Sequence, residues 1–285
     1  MNRLALALFL ILAAVTAFAA VDRPFLPVNH AVPSPMPAGT FRFAVFGDFR
    51  PARADAPYPP QFTLVSDALS SEKPIFAVST GDAYFGYGGT MAQFTEEVKG
   101  FIAATRTWDT PLFNVIGNHD VTGSAERETY LKRVYGNLYG SVDVGIAHFI
   151  FLDSDEVGRE GKVAGEQLAW LERDLERNRG AAALFVFLHR PLFSVLDPDL
   201  RRGKSFGDRK NRDALHRLFV RFRVTGVFAG HEHLYDERVV DGVRYWITGG
   251  GGAPLYAPPD RGGIYHYLLV TVSGKKVVVV ELKRL

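Results

Sequence analysis

Five apolar runs in this sequence each stop on a side chain able to hold a cation. Residues 41–47 stop on Asp48, 75–81 on Asp82, 111–117 on Asn118, 184–188 on His189 and 224–230 on His231, with His233 two positions on. Two carboxylates, one amide and three imidazoles exceed what one tetrahedral ion needs, and suit a pair of ions sharing a carboxylate. Ions roughly 3.5–4 Å apart can activate a water and hold both the attacking and the leaving oxygen of a phosphate ester. Hydrolysis of that kind needs no protein nucleophile, in keeping with a chain that has no Cys and no Gly-x-Ser-x-Gly elbow. His119, beside Asn118, adds a titratable ring where an α/β sheet keeps its ligand crevice.

The elements that carry these residues follow from hydrophobic periodicity. Runs 41–47, 75–80 and 112–116 read as buried strands, and helices are expected over 61–71, 91–106 and from Ser124 to about Tyr135. The last of these opens on a capping-box pattern with Arg127 where an acid is usual. Runs 139–143 and 146–152 read as an antiparallel pair. The clearest helix is 167–179, with Leu168, Leu171 and Leu175 on one stripe and Gly180 as its stop. Runs 182–188 and 224–229 are strands, separated by a charged loop over 197–212 and a helix over 213–223. The rest reads as β, over 235–240, 244–248, 265–272 and 276–282, with hairpin turns at Asp241-Gly242 and Ser273-Gly274. Helical crossovers followed by a meander predict an α/β fold, an αββα sandwich of two mixed β-sheets flanked by helices.

Gly47-Asp48, Gly81-Asp82, Gly117-Asn118-His119-Asp120, the block at His189 and Gly230-His231-Glu232-His233 resemble, in order and spacing, the motif set of the calcineurin-like metallophosphoesterases, relatives of the purple acid phosphatases. The resemblance spans about residues 41–253. It implies the stacked-sheet fold and hydrolysis of a phosphomonoester or phosphodiester at a dinuclear centre of Mn, Fe or Zn ions. In that scheme Asp82 bridges the ions, Asp48 and His233 hold the first, and Asn118, His189 and His231 hold the second. His119 protonates the leaving group or steadies the phosphoryl oxygens. The Gly-rich run from Gly249 to Tyr256 looks like the late loop that approaches this site in many bacterial members. Two positions depart from the pattern. Most members carry His where this chain has Arg50, and purple acid phosphatases carry a Tyr ligand where it has Phe85. Arg50 stays protonated and cannot coordinate a cation, so it binds substrate phosphate or pairs with Asp48. A first site short of one ligand keeps a second class of function open, a non-catalytic metal- or phosphate-binding protein.

With 285 residues, 47% of them hydrophobic, the chain can bury one large core, and a net charge of +2 gives no sign of a nucleic-acid-binding surface. Arg3, the apolar run from Leu4 to Val15 and Ala17-Phe18-Ala19 read as a signal peptide over 1–19, with export to the periplasm or medium after cleavage. Residues 20–40 hold Pro24, Pro27, Pro33, Pro35 and Pro37 and read as a spacer, leaving 41–285 as the metallophosphoesterase domain. No segment suits a stable membrane span. His30, His148, His216 and His266 are expected to be structural. Tyr84, Phe85, Tyr87, Phe193 and Tyr256 are candidates for an aromatic rim that selects a substrate. Lys204, Arg209, Lys210 and Arg212 are expected as solvated loop charge, and Asp120 is expected to orient His119 or its loop.

Overall fold

The structure is a computed structural model that describes residues 25–32, 39–197, 205–274 and 278–285. The expected signal peptide, most of the spacer and Lys204 lie outside the described residues. Strands β1 (Phe41–Phe46), β2 (Ala77–Ser79), β3 (Leu112–Asn114), β10 (His266–Val272) and β11 (Val278–Arg284) form one sheet in the order β11-β10-β1-β2-β3. Strands β4 (Gly140–Val144), β5 (Ala147–Phe151), β6 (Ala183–Phe187), β7 (Gly226–Ala229), β8 (Tyr235–Val240) and β9 (Val243–Thr248) form the other, in the order β4-β5-β6-β7-β9-β8. β1, β2 and β3 are mutually parallel, as are β5, β6, β7 and β9, while β10, β11, β4 and β8 pair antiparallel. Both sheets are therefore mixed.

Strand alternation explains the layering. Phe41, Phe43 and Val45 of β1 point between the sheets, and Ala44 and Phe46 point the other way. Between the sheets the core is aromatic: the Phe43 ring meets Phe149 edge-on at 5.1 Å and Phe185 at 5.2 Å, and Phe228 stacks on Phe187 at 5.2 Å and on Trp246 at 4.7 Å. On the outer face of the first sheet lie α1 (Pro60–Glu72), through Phe62, Val65 and Leu69, and α2 (Met91–Thr105), through Phe94, Val98 and Phe101. On the outer face of the second lie α5 (Gly165–Arg177), through Trp170, Leu171 and Leu175, and α6 (Arg209–Arg221), through Leu215 and Phe219. Four layers result, the expected αββα sandwich.

Several boundaries differ from the sequence expectation. The charged stretch 197–212 is not all loop, because Asp208 accepts the Lys210 and Asn211 amides and starts α6 at Arg209. The last two strands do not extend a meander from β9; β10 returns to the first sheet and pairs with β1, Phe41 opposite Val272. The loop expected after β3 is wound into a short helix, α3 (Asn118–Val121). Helix α4 (Ala125–Tyr135) starts on Ser124, whose hydroxyl accepts the Arg127 amide without the acid of a full capping box. Residues in the Pro-rich stretch also pack on the domain: Phe25 stacks on Phe151 at 4.5 Å, and the Asn29 amide bonds Thr105 and Thr110 carbonyls at 2.9 and 3.1 Å.

Candidate metal centre

The parallel strands β1, β2, β3, β6 and β7 release their chains at one edge of the sandwich, and every ligand candidate sits on those exits. There the backbone departs from strand geometry. Asp48, Asp82 and His231 have φ of 59°, 57° and 69°, the left-handed region that costs a non-glycine residue free energy. The other left-handed non-glycine residues, Lys73, Thr122, Arg223 and Asp241, end helices or make a hairpin turn, where such a φ is routine. Glycines allow the exits to crowd together. A Cβ on Gly230 would lie 2.4 Å from Asp48 Oδ2, and one on Gly117 would lie 2.3 Å from Asp82 Oδ1.

All six candidate ligands converge, in two groups. In the first, Asp48, Asp82 and His233 each present a ligand atom within 4.8 Å of the others. In the second, Asn118 Oδ1, His189 Nε2 and His231 Nδ1 are separated by 3.0, 2.8 and 3.1 Å. Asp82 belongs to both, since its Oδ1 is 3.4 Å from His189 Nε2.

The donor set fits cations. His189 donates Nδ1–H to the Thr80 carbonyl at 2.9 Å and His233 donates Nδ1–H to the Pro254 carbonyl at 2.7 Å, so each ring turns its Nε2 inward. Against its burial, the carboxylates of Asp82 and Asp48 raise the His189 pKa, the negative surroundings that suit a cation. His233 Nε2 faces Asp48 Oδ1 at 3.4 Å, longer than a normal hydrogen bond. In the second group one proton can join two of the three lone-pair atoms, whereas a cation satisfies all three. Octahedral ligand bonds of about 2.1 Å put neighbouring donor atoms about 3 Å apart, the spacing found here. Asp48 and Asp82 are fully buried carboxylates, an arrangement that demands opposite charge. Burial alone would raise Asp82; His189, His119 and the His119 amide outweigh it and hold the carboxyl down at about 2. Burial and the neighbouring His189 push His231 well below the ordinary imidazole range, so that ring is neutral, the state in which an imidazole ligates a cation.

His119 leans over the first group. Its Nδ1–H goes to the Phe85 carbonyl at 2.7 Å, its amide bonds Asp82 Oδ1 at 3.0 Å, and its Nε2 stands 3.8 Å from Asp82 Oδ2. Asp120 welds two ligand loops into one body, accepting the amides of Asp82, Ala83 and Tyr84 from one and Gly117 from the other. Burial and the charge of Asp82 push its carboxyl up to about 8, against those four donors. Arg50 sits near enough to act on both His119 and Tyr256, and its Nε is buried without a hydrogen-bond partner. Asp48 accepts the His231 amide, at 2.9 and 3.1 Å from its two oxygens.

The centre opens into a cleft of about 570 Å³. Of the aromatic rim candidates, Tyr87 and Tyr256 line it. Tyr84 does not: it is fully buried against Phe94 and Phe101, with its hydroxyl on that of Tyr135. Phe193 packs on His216 and Tyr245 away from the cleft, with Arg212 over its ring. The late loop does approach the centre, the Gly251 and Ala253 amides bonding the Gly47 and Asp48 carbonyls at 2.8 Å. Two residues at the cleft escaped the sequence reading although they adjoin ligand candidates. Arg190 is held at 2.7 Å by Asp155, and Glu232 is buried, with the Val195 and Leu196 amides on one oxygen and the Ser194 hydroxyl on the other.

Residues 41–235 match the calcineurin-like phosphoesterase family. Purple acid phosphatase 21 of Arabidopsis thaliana is 28% identical over 151 residues, 47% of this chain and 32% of that protein. The Serine/threonine-protein phosphatase CPPED1 of Bos taurus is 31% identical over 172 residues, 56% of this chain and 54% of that one. The chain thus spans about a third to a half of the length of these relatives. A purple acid phosphatase from yellow lupin seeds superposes with a TM-score of 0.69 over 89% of this chain and 53% of its own, at 19% identity, a likeness of fold. The match covers most of the chain and contains every ligand candidate named above, so the chain belongs to the calcineurin-like phosphoesterase family.

Proposed function

We propose that this protein hydrolyses phosphate esters, monoester or diester, at a dinuclear metal centre. The observation that carries the reading is the position of Asp82, shared between two groups of inward-facing lone pairs at the floor of an open cleft. Asp48 and His233 would hold one cation, Asn118, His189 and His231 the other, and Asp82 both. Mn, Fe or Zn ions there would supply Lewis-acid polarisation of the phosphoryl group and would lower the pKa of a water enough for it to lose a proton and attack as hydroxide. The chain's own side chains do the rest. His119, anchored by Phe85 through Nδ1–H, would carry a second proton at Nε2 for the leaving oxygen, which burial disfavours and the Asp82 charge favours. Arg50, whose charge reaches His119, would pair with the phosphoryl oxygens. The order of basic, apolar and small residues over 3–19 supports export, and a mature chain starting at Ala20 by intact mass would establish it.

Protein stripped by chelation and reloaded with Mn²⁺, Zn²⁺ or Fe should turn over aryl phosphates or diesters. Silence across a broad panel with every metal, while phosphate and metal still bind, would favour the non-catalytic alternative that the Arg50 substitution raises. His119→Ala should keep its metal and lose about 10²–10⁴-fold in rate, least on esters whose leaving group needs no proton. Equal losses on good and poor leaving groups would remove His119 as the acid.

A further inference from the structure

We propose that Tyr87 and Tyr256 form a ring clamp that selects phosphate esters whose alcohol carries a planar aromatic ring. The inference rests on the cleft being a phosphoesterase site.

Among the described residues, the exposed large hydrophobic side chains include two aromatics, Tyr87 at 55% and Tyr256 at 51%, and both line this cleft. Half-exposed rings contribute little to the core, and each of these rests on a histidine of the centre. Tyr256 stacks on His233 with centroids 3.9 Å apart and planes at 14°, and its amide bonds the His233 carbonyl at 3.1 Å. One ring face is covered by the imidazole and the other is left for a ligand. Tyr87 meets His119 at 4.0 Å and 63°.

The loop that displays Tyr87 is built to hold it still. Gly86, Gly88 and Gly89 take φ of 72°, 70° and 76°, and a Cβ on Gly86 would fall 1.7 Å from the His119 carbonyl oxygen. Arg127 locks the loop from beneath. Its guanidinium bonds the Gly86 carbonyl, the Gly88 carbonyl at 2.6 Å and the Thr122 hydroxyl at 2.9 Å, and lies 4.6 Å over the Phe94 ring. Glu97 takes the Gly86 amide at 3.1 Å. A buried arginine bonded to two loop carbonyls is a large investment for presenting one exposed ring. Preorganised in this way, a ring gives up little entropy when a ligand stacks on it.

The test must separate ring recognition from leaving-group reactivity, so each pair of probes shares its type of alcohol. Adenosine 5′-monophosphate is compared with ribose 5-phosphate, and benzyl phosphate with cyclohexylmethyl phosphate. Aromatic stacking predicts a preference of roughly 5- to 100-fold in kcat/KM for the planar member. The arm that shows it tells a nucleoside from a simple aryl alcohol. Tyr87→Leu and Tyr256→Leu should each shrink the ratio, and the Phe variants should retain it, since the face and not the hydroxyl does the selecting. The same ratio is read as a Kd by calorimetry on chelated protein, where no turnover occurs. Turnover without preference in either arm, or a preference that survives the double Leu variant, overturns the clamp and leaves the hydrolase. A calorimetric preference lost in the Leu variants, with no turnover under any metal, keeps the clamp and removes the hydrolase. No difference in Kd and no turnover removes both.

Discussion

His148 and His189 are both buried histidines of the second sheet, one within β5 and one just past the end of β6, and they differ in what faces their nitrogens. His148 has a carboxylate on each, Asp143 at 2.6 Å and Asp174 at 2.7 Å. Two N–H donors meet two acceptors, and the group is closed. His189 spends one N–H on the Thr80 carbonyl and turns the other nitrogen toward Asn118, His231 and Asp82, all rich in lone pairs. That group is short of positive charge. Donors and acceptors balance within the protein around His148, and around His189 they do not.

The largest effect that would test this contrast is at Asp82. Asp82→Asn removes the charge common to both donor groups, and metal content and hydrolysis should fall together by orders of magnitude. His148→Gln, made in the balanced cluster, should leave the metal stoichiometry as in the wild type. Elemental analysis finding two tightly held ions in Asp82→Asn would place the centre elsewhere. A smaller effect is expected at Gly230, where a Cβ would sit 2.4 Å from Asp48 Oδ2 and 2.7 Å from Thr80 Oγ1. Overpacking of this kind costs about 1–3 kcal/mol, and here it also displaces a ligand. Gly230→Ala should unfold at lower urea and bind metal more weakly; unchanged metal affinity by chelator competition would show that the close approach is dispensable.

The ligands were legible in the sequence because strand runs are local and a parallel sheet delivers its C-terminal ends to one edge. Asp48, Asp82, Asn118, His189, His231 and His233 could be placed together from periodicity and motif alone. What made them a site was less legible. The left-handed φ at Asp48, Asp82 and His231 is imposed by contacts between exits far apart in the chain, such as Asp48 with the His231 amide. Arg127 read as a flawed capping box because its partners, Gly86 and Gly88, lie some 40 positions away. The return of β10 to β1 was hidden for the same reason, since nothing in a strand's own residues names its sheet. Tyr84 and Phe193 looked equivalent to Tyr87 and Tyr256, and only packing separates a core ring from a rim ring.

The smallest expected effect lies in the balanced cluster and concerns pH. Burial works against charge on His148, and the hydrogen bonds it donates to Asp174 and Asp143 outweigh it, raising the pKa above that of an ordinary imidazole. Asp174 also faces Ser141 at 3.1 Å and Arg177 at 3.8 Å, so its carboxylate stays paired across the cluster. Asp143 is 74% exposed and counts for little after solvent screening, which leaves the Asp174 bond as the main contribution, about 1.5–3 kcal/mol for a buried charged pair. Because the folded pKa exceeds the unfolded value of about 6.5, the stabilisation is fully present below that pH and is lost as pH rises through the folded pKa. Urea unfolding of wild type and His148→Gln, both in chelator so that the metal centre is silent, should show the widest gap at the acid end and a narrowing gap in alkali. Asp174→Asn should flatten the same dependence. A gap that widens with rising pH would mean that His148 is neutral in the fold, and that its carboxylates do not make the balanced charge cluster with which the metal centre is contrasted.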